Sequence, residues 1–495
     1  MGIVFRQSVK SSIVIFAGAL LGALIIYLQQ LYFPKQEFGF IRNFTNQAVV
    51  MSQVTMLGMN IVLVIYIHKY PPGDARKPVL ITLSLLIPVV ITALLSVFYF
   101  LLKPQIIHLF KPIDQPFIDR FYLWLPIFTL LWSVLLLLEH YLNSQLKIAL
   151  SVMMREVVLR VFNIVVIVLY VAGYFSYSQF IIGSVLIYLF PIIFLWVVCK
   201  KTEGFGISFQ WQLLSKKEYK DIIHFAWYHT LMGISLNLLG YLDALMLAPL
   251  DKSGVSSIAE YSIAVFIITI MQIPYRSMAT AALPDLTKSY EANNMVKVNE
   301  FFKRAAINVL IVAIGMWLLI VMNMHNAVLI LNKGYDSVTM LVIILSIGKL
   351  VDMATGLNNE MISVSKHYKF NFYISLVLVA LIFVFNRLLI PVYGVYGAAI
   401  GTTLALVIFN LAKLVFLWKK MRLQPFSSSS FLVLLAGIIT GALCYFIPFL
   451  FNPFVDAIIR SAAIVSVFGL LLVLLKPSQD LNHFLNNVKK TKRLF

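Results

Sequence analysis

The chain has 495 residues, of which 61% are hydrophobic and only 12% are charged, and its mean hydropathy is +0.91. Soluble domains are about half apolar and about a quarter charged, so this composition excludes a soluble multidomain enzyme. Two cysteines, Cys199 and Cys444, exclude a disulfide scaffold and the familiar thiolate metal clusters. In a soluble protein the net charge of +19 would suggest binding to nucleic acid. In a membrane protein its interpretation depends on where the basic residues lie.

Apolar stretches that can cross a bilayer follow one another along the whole chain. Such stretches favour helices over a β-barrel, whose strands would be short and alternating. The predicted spans are Ser11–Leu28, Asn43–Ile67, Val79–Leu102, Phe121–Leu142, Val152–Gly173, Gln179–Val198, Ile222–Leu247, Ala259–Leu283, Ala305–Met324, Val338–Ser363, Phe370–Leu389, Val395–Trp418, Phe431–Phe449 and Ala457–Leu475. The sequence therefore predicts an all-α, polytopic membrane protein with about 14 transmembrane helices. A break at Gly173–Ser178 separates the fifth span from the sixth.

The 39 basic residues are unevenly distributed between the predicted loops. The loops on the side of the two termini hold 28 of them and the opposite side holds 9, while Arg276 and Lys349 stay within helices. Because basic residues collect on the cytoplasmic side of membrane proteins, we predict that both termini are cytoplasmic. Most of the positive charge then reflects topology and contact with anionic lipids at the cytoplasmic face, and no nucleic-acid partner is expected.

The longest predicted cytoplasmic loop follows the sixth span, which suggests two six-helix lobes plus two C-terminal helices. Repeats of this kind are common in transporters, whose substrates bind between the halves. The predicted domains are an N-lobe (1–200, helices 1–6), a cytoplasmic linker (201–221), a C-lobe (222–420, helices 7–12), helices 13–14 (421–475) and a basic tail (476–495). In the tail, the spacing of Leu481, Phe484, Leu485 and Val488 indicates an interfacial amphipathic helix, with a frayed basic tail as the alternative.

Polar residues inside spans are costly and usually face a cavity or one another. The second span carries Arg42, Asn46, Gln53 and Asn60. At 100° per residue their spacing places them within an arc of about 40°. Either these amides join helices, or they form a hydrated face that binds sugar hydroxyls.

Further polar residues lie in the second half of the chain. Gln272 and Arg276 share a face of the eighth span, and Arg276 has no acid at i±3 or i±4. Arg276 either neutralises an acid on another helix or binds phosphate oxygens bidentately. The seventh span carries Asp243, which either reaches the interface or binds a cation or a proton.

The tenth span carries the polar residues Lys349, Asp352, Asn359 and Glu360. Lys349 and Asp352 are spaced to form an ion pair at i, i+3. A polar stripe of this length with three ionisable groups indicates a water-lined wall.

The sequence has no phosphate-binding loop of the Gly-x-x-x-x-Gly-Lys-Ser/Thr type, which argues against an ATP motor in the chain. It also lacks the paired loop acids that a membrane glycosyltransferase would use to hold a metal. The longest predicted outer loop, Lys103–Arg120, is short for a polysaccharide polymerase or ligase. We therefore expect that the protein is not an enzyme.

Several short motifs, each weak by itself, occur in a fixed order along the chain. They are Phe33–Gly39 (Phe-Pro-Lys-Gln-Glu-Phe-Gly), Asp243 with Leu247, Tyr261–Ala264 (Tyr-Ser-Ile-Ala), Leu283-Pro284 and Ile390–Ala399 (Ile-Pro-Val-Tyr-Gly-Val-Tyr-Gly-Ala-Ala). In these motifs the chain resembles the bacterial flippases that carry the repeat units of O-antigen and capsule. Those flippases belong to the multidrug/oligosaccharidyl-lipid/polysaccharide exporter superfamily, with the multidrug extruders and the lipid II flippases.

The resemblance implies two lobes around a cationic lumen, alternating access, and transport of a polyprenyl-diphosphate-linked oligosaccharide across the bacterial inner membrane. Arg42, Arg276 and Lys349 would hold the diphosphate, and Asn46, Gln53, Asn60, Gln272 and Asn359 would bind sugar hydroxyls. No cofactor is expected, and coupling to protons, sodium or the membrane potential would involve Asp243, Asp352 or Glu360. The polysaccharide polymerase machinery is an expected partner.

Two alternatives come from the same superfamily. A cation-coupled multidrug extruder would need acids in the N-lobe cavity, where the sequence offers Arg42 and amides. Lipid II flippases carry an arginine inside the first span, whereas this chain has only Arg6 and Lys10 at the beginning of that span.

Overall fold

The computed structural model describes residues 3–292, 294–331, 334–478 and 480, with side chains from position 14 onward except at some positions in 228–239 and at position 281. Every regular element in this part of the chain is helical, which confirms the all-α prediction. The α-helices are α1 (Ile3–Tyr32), α2 (Lys35–Met56), α3 (Met59–Tyr66), α4 (Arg76–Leu101), α5 (Lys103–His108), α6 (Gln115–Phe121), α7 (Trp124–Ser144), α8 (Ile148–Met153), α9 (Leu159–Val171), α10 (Tyr177–Leu186), α11 (Leu189–Lys200), α12 (Lys216–Leu250), α13 (Ser256–Glu291), α14 (Met295–Met322), α15 (Met324–Ile330), α16 (Ser337–Ala354), α17 (Asn358–Val364), α18 (Lys369–Tyr393), α19 (Val395–Phe416), α20 (Ser428–Tyr445) and α21 (Pro453–Leu475).

Within the described residues, 11 helices are long and apolar enough to cross a membrane, and α2 with the short helix after it makes a twelfth candidate that is bent by 52°. Large apolar side chains such as Phe98, Ile193 and Ile438 are more than 60% exposed, as expected for surfaces that face lipid. The protein is therefore a multi-pass membrane protein, in agreement with a location in the bacterial inner membrane. The count of 14 spans and the cytoplasmic termini stay predictions.

The fifth and seventh predicted spans are not among these candidate membrane-crossing helices, but both are helical. The fifth consists of α8, a π-helical turn at Met154–Val158, and α9. The seventh lies within α12, of which Gly240–Leu250 is a short apolar helix. The break predicted between the fifth and sixth spans is confirmed, because α9 ends before Gly173 (φ +78°) and Ser176 caps α10 through reciprocal hydrogen bonds with Gln179.

The chain divides into two compact units, Met1–Ala259 and Glu260–Phe495. The division falls at the start of α13, after the predicted linker at 201–221. Consequently α12, which the sequence assigns to the C-lobe, packs against α2 and α3 in the first unit. The linker also packs on this unit, since the Ser208 N–H donates to Thr82 Oγ1 at 2.8 Å. The division into two six-helix lobes remains a prediction, because the two compact units have a different boundary.

In the second unit, α14, α20 and α21 form an apolar core around Leu310, Ile314, Val433 and Phe468. Gly437 allows α20 to approach α14 closely, because a Cβ at this position would lie 2.6 Å from Ile314 Cγ2. The predicted C-terminal helices thus belong to the packed second unit. The predicted amphipathic helix of the tail, Leu481–Val488, lies outside the described residues.

Candidate functional site in the membrane-spanning helices

Arg42 is half-buried on α2 and contacts α1. Its Nη2 donates to Gln29 Oε1 at 2.9 Å, and its guanidinium carbon lies 5.3 Å from the centre of the Phe38 ring. Nε is buried without a hydrogen-bond partner among the described residues. Within those residues no carboxylate pairs with Arg42, so its charge is balanced only by a neutral amide and an aromatic ring.

The polar face predicted for the second span is interrupted after Gln53. Leu57 (φ +42°) and Gly58 (φ +69°) end α2 in left-handed conformations, and the axis of α3 turns by 52°. Asn60 follows this bend, so the helical spacing that placed Arg42, Asn46, Gln53 and Asn60 on one face does not extend to Asn60. The arithmetic of 100° per residue holds only for a continuous helix.

The first unit contains an ion-pair network that the sequence analysis missed. Arg155 lies 3.3 Å from Glu139 and 3.2 Å from Glu156, and Arg160 lies 2.6 Å from Glu156. Glu156 and Arg155 belong to the π-helical turn, an element that often marks functional sites. Arg155 and Arg160 thus form ion pairs with these carboxylates while their side chains stay about one-third exposed.

The same network reaches the first helix. Arg160 Nη1 donates to the carbonyl oxygen of Gly18 on α1, and a Cβ at Gly18 would lie 2.9 Å from Glu156 Cβ. Arg160 is also an electrostatic neighbour of Arg42. The first helix therefore has a basic side chain beside it that comes from α9, a contact that no local sequence signal indicates.

Arg276 lies on α13 with an exposed side chain. Its Nη2 is 3.5 Å from Gln272 Oε1, a weak contact with the amide predicted to share its face. No acid among the described residues forms an ion pair with it. The interpretation of Arg276 as the partner of an acid on another helix thus finds no support.

In the second unit, the predicted tenth span is two helices. The first, α16, ends at Ala354, and α17 begins at Asn358 after a turn in which Gly356 has φ +71°. A Cβ at Gly356 would lie 2.7 Å from Ala306 Cβ, so both the conformation and the close contact with α14 require glycine. The prediction of one continuous stripe from Lys349 to Glu360 is therefore wrong, because the turn resets the helical phase.

A buried asparagine holds this turn in place. Asn410 on α19 is 0% exposed, and its Nδ2 donates to Asp352 Oδ1 at 3.1 Å. Its Oδ1 accepts from Asn358 Nδ2 at 3.1 Å and from Thr355 Oγ1 at 3.2 Å. Asp352 is thus bonded to an amide, and the predicted ion pair with Lys349 is absent from the described residues.

Lys413 is a second residue of α19 that the sequence analysis did not assign to this site, because it was counted among the cytoplasmic bases. It is 1% exposed, its Nζ donates to Asn359 Oδ1, and it lies 3.8 Å above the Phe409 ring. Glu360 of α17 accepts from Tyr275 Oη of α13 at 3.4 Å. The i, i+3 spacing of Asn410 and Lys413 in an apolar helix is the sequence signal that indicates this cluster.

Asp243 is buried on α12. It lies in the first unit, whereas Asp352 and Glu360 lie in the second. The three predicted ion-coupling acids therefore do not form a single cluster within one unit.

The sequence profile of the family described as "Polysaccharide biosynthesis protein" matches residues 5–290, which is more than half of the chain. The chain belongs to this family. No curated protein matches the chain.

Solved structures resemble the chain in fold. The lipid II flippase MurJ in an inward closed conformation has a TM-score of 0.73 at 16% identity, covering 94% of this chain and 99% of that one. An inward-facing multidrug resistance MATE transporter of the MOP superfamily has a TM-score of 0.62 at 14% identity, with coverages of 83% and 98%. A MATE transporter from Vibrio cholerae has a TM-score of 0.55 at 15% identity, with coverages of 85% and 96%. This chain thus has the fold of MOP-superfamily transporters.

Proposed function

We propose that this protein moves a polyprenyl-diphosphate-linked oligosaccharide from the inner to the outer leaflet of the bacterial cytoplasmic membrane by alternating access. Membership of a polysaccharide biosynthesis family and a fold shared with a lipid II flippase support a lipid-linked saccharide as cargo. Crossing hydrocarbon with a diphosphate and sugars requires fixed cations and hydroxyl-binding groups. A transporter can provide both kinds of group from side chains on its spans, without any catalytic chemistry.

The observation that carries this proposal is the environment of Arg42. Its guanidinium has a neutral partner, Gln29, and no carboxylate partner among the described residues. An uncompensated charge inside a span is costly, and a visiting anion would remove that cost. Guanidinium matches phosphate oxygens bidentately, so we assign Arg42 to the diphosphate, together with Arg276 and Lys349.

Amide side chains would bind the sugar hydroxyls. Asn46, Gln53 and Asn60 are half-buried, and Gln272 is the neighbour of Arg276 on α13. Asn359 differs from these four, because its Oδ1 accepts from Lys413 and its backbone oxygen accepts from Asn371. We therefore assign the first four to the saccharide and place Asn359 in the cluster around Lys413.

The pairing of the two acids within the predicted spans of the N-lobe (1–200) favours an anionic cargo over the organic cations of a multidrug extruder. Such an extruder needs a free carboxylate to bind its cargo. Glu139 and Glu156, which lie within predicted spans, are both paired with arginines. Lipid II remains an alternative cargo, since Arg160 donates to the Gly18 carbonyl oxygen and so brings a basic side chain to α1.

The driving force belongs to the proposal as well. Export of one negative charge from a negative interior gains about 2.3 kcal/mol per 100 mV, so the membrane potential alone contributes. Coupling to a proton or to sodium would act through Asp243, Asp352 or Glu360. Anionic lipids at the cytoplasmic face and the polysaccharide polymerase machinery are the proposed partners.

Charge removal in the host tests the proposal. Arg42→Ala and Arg276→Ala should each reduce surface glycan and cause lipid-linked oligosaccharide to accumulate, while Arg276→Lys should retain part of the activity. The matched control is Arg387→Ala, which removes an exposed arginine of α18 and should leave surface glycan unchanged. Normal surface glycan in both arginine variants, with the protein at normal levels, would show that the diphosphate assignment is wrong.

A further inference from the structure

Lys413 is a charged residue in the interior of the second unit. Its side chain is 1% exposed and lies in α19 (Val395–Phe416), part of a candidate span. Within the described residues it forms no ion pair shorter than 4.0 Å. Its ammonium group donates to Asn359 Oδ1 and lies 3.8 Å from the Phe409 ring centre, which leaves the charge partly compensated.

Two carboxylates lie within electrostatic range of this ammonium group, and each is bonded to a neutral donor. Asp352 Oδ1 accepts from Asn410 Nδ2 at 3.1 Å, and Glu360 accepts from Tyr275 Oη at 3.4 Å. Asp352 and Glu360 both interact with Lys413 through their charges. With all three groups ionised, the cluster would carry one net negative charge, and burying an uncompensated charge is costly.

We propose that the Asp352–Glu360–Lys413 cluster binds one exchangeable proton, on Glu360, and excludes sodium. A proton that Glu360 takes from hydronium breaks one O–H bond of the hydronium, forms one O–H bond on the carboxyl group and releases water. The cluster then becomes electrically neutral. This proposal does not depend on which cargo the protein carries.

Sodium would neutralise the same excess charge, but the geometry opposes it. A hard cation needs several oxygen ligands, and Asn359 Oδ1 is occupied by the Lys413 ammonium group. Any sodium ion near that oxygen would also lie beside a positive charge, with mutual repulsion at low dielectric. The ammonium group therefore acts as a permanent cation in place of a bound ion.

The proton belongs on Glu360 because of the hydrogen bonds that each acid accepts. Asn410 donates an N–H to Asp352, and such a bond favours the ionised form. Tyr275 makes a longer contact with Glu360, and its hydroxyl can donate to a carboxylate or accept from a carboxylic acid. The titratable groups that face Glu360 from the elements packed around it are Tyr275 on α13, Asp352 on α16 and Lys413 on α19, while α18 contributes the amide of Asn371 to this region.

A change of charge at Glu360 can act on the backbone, since this residue is in the first turn of α17. The turn before α17 contains Gly356, whose carbonyl oxygen lies 3.5 Å from the same Tyr275 hydroxyl. Protonation alters the partner of that hydroxyl and thereby the contacts between α13 and the turn at Thr355–Leu357. This links proton binding to the one break in the tenth predicted span.

Infrared difference spectroscopy of the purified full chain in lipid nanodiscs, recorded between acidic and alkaline pH, tests the proton site. We expect a C=O stretching band from a half-buried carboxylic acid that loses intensity in Glu360→Gln. The control Asp285→Asn, at an exposed position of α13, should leave the band unchanged. An identical band in Glu360→Gln and in the unmodified protein would overturn the assignment.

Thermal unfolding in sodium, potassium and choline chloride at equal ionic strength tests the exclusion of sodium. The unmodified protein should unfold at the same temperature in all three salts, and Lys413→Met should gain a rise specific to sodium, because two carboxylates and an amide oxygen then lack their cation. Lys413→Gln provides a polar replacement in case the methionine variant does not fold. A sodium-specific rise in the unmodified protein that disappears in Glu360→Gln would disprove the proposal.

Discussion

Asp114 Oδ2 accepts a hydrogen bond from the backbone N–H of Val255 at 2.9 Å, across 141 positions of sequence. The carboxylate is 0% exposed, and its Oδ1 accepts from Gln36 Nε2 at 2.9 Å. One side chain thus joins the segment before α6, the start of α2 and the turn before α13, all within the first unit.

Asp114→Ala should lower the unfolding temperature of the purified protein, because it leaves the Val255 N–H without an acceptor. Stranding a buried donor costs about 1–3 kcal/mol. The matched control is Asp119→Ala, which removes an exposed ion pair with Lys103 at 2.6 Å and should cost about 0–1 kcal/mol. Equal losses in the two variants would mean that the Asp114 contacts contribute no more than a surface pair.

Asp456 and Arg460 on α21 form a buried ion pair at 3.0 Å. Asp456 also accepts from Asn326 at 2.6 Å. Arg460→Met should destabilise the protein by about 3–5 kcal/mol, because it leaves Asp456 buried without its cation. The double variant with Asp456→Asn should lose less than Arg460→Met alone.

The control for this pair is Arg304→Met, since Arg304 and Asp480 form an ion pair at 3.9 Å with both side chains half exposed. Its effect on the unfolding temperature should be small. If the double variant is as unstable as Arg460→Met, the loss comes from packing of the arginine side chain and the charge argument fails.

Gly356→Ala should reduce both the yield and the unfolding temperature, because it combines backbone strain at φ +71° with a contact of 2.7 Å to Ala306 Cβ. Two other glycines separate these causes. Gly173 has φ +78° with no described atom near its Cβ position, and Gly469 lies inside α21 with equal space and no positive φ. The expected order of loss is Gly356→Ala, then Gly173→Ala, and Gly469→Ala should be neutral or stabilising. A Gly356→Ala protein as stable as Gly173→Ala would show that the contact with α14 relaxes freely.

Glu218 stabilises the start of α12 in a pH-dependent manner. Its Oε2 accepts from the Ser215 backbone N–H at 2.7 Å and its Oε1 lies 3.3 Å from Arg76. The hydrogen bond from Ser215, with the further bonds from Tyr70 and Arg76, holds the pKa of Glu218 below its usual 4.5 although burial opposes this. The resulting stabilisation is present above the unfolded-state pKa and is lost as the pH falls through the lower folded-state pKa.

Glu218→Gln should therefore lower the unfolding temperature near pH ~7, and this difference should shrink as the pH falls below the usual pKa of about 4.3 and vanish once the pH is below the lowered folded-state pKa. Glu203→Gln, at an exposed position of the linker, should show no such trend. A difference between Glu218→Gln and the unmodified protein that persists unchanged into acid would show that the carboxylate charge is not its source.

Composition and periodicity were sufficient to predict a multi-pass helical protein, because the apolar stretches reflect a one-dimensional requirement, the thickness of the hydrocarbon. The break at Gly173–Ser178 was predictable for the same local reason, since Ser176 and Gln179 form a capping box within four residues. The helical phase assumed for Asn60 and Glu360 does not hold, because Gly58 and Gly356 interrupt the predicted spans where the chain meets another helix.

The sequence by itself determined the membrane class, since apolar length is a local property, and it showed that Arg276 has no acid at i±3 or i±4. Only the tertiary structure decided which charges are neutralised. Arg155 meets Glu139 from another helix, and Lys413 reaches Asn359 across 54 positions. Helix packing brings these partners together, and the periodicity of one helix carries no information about contacts between helices.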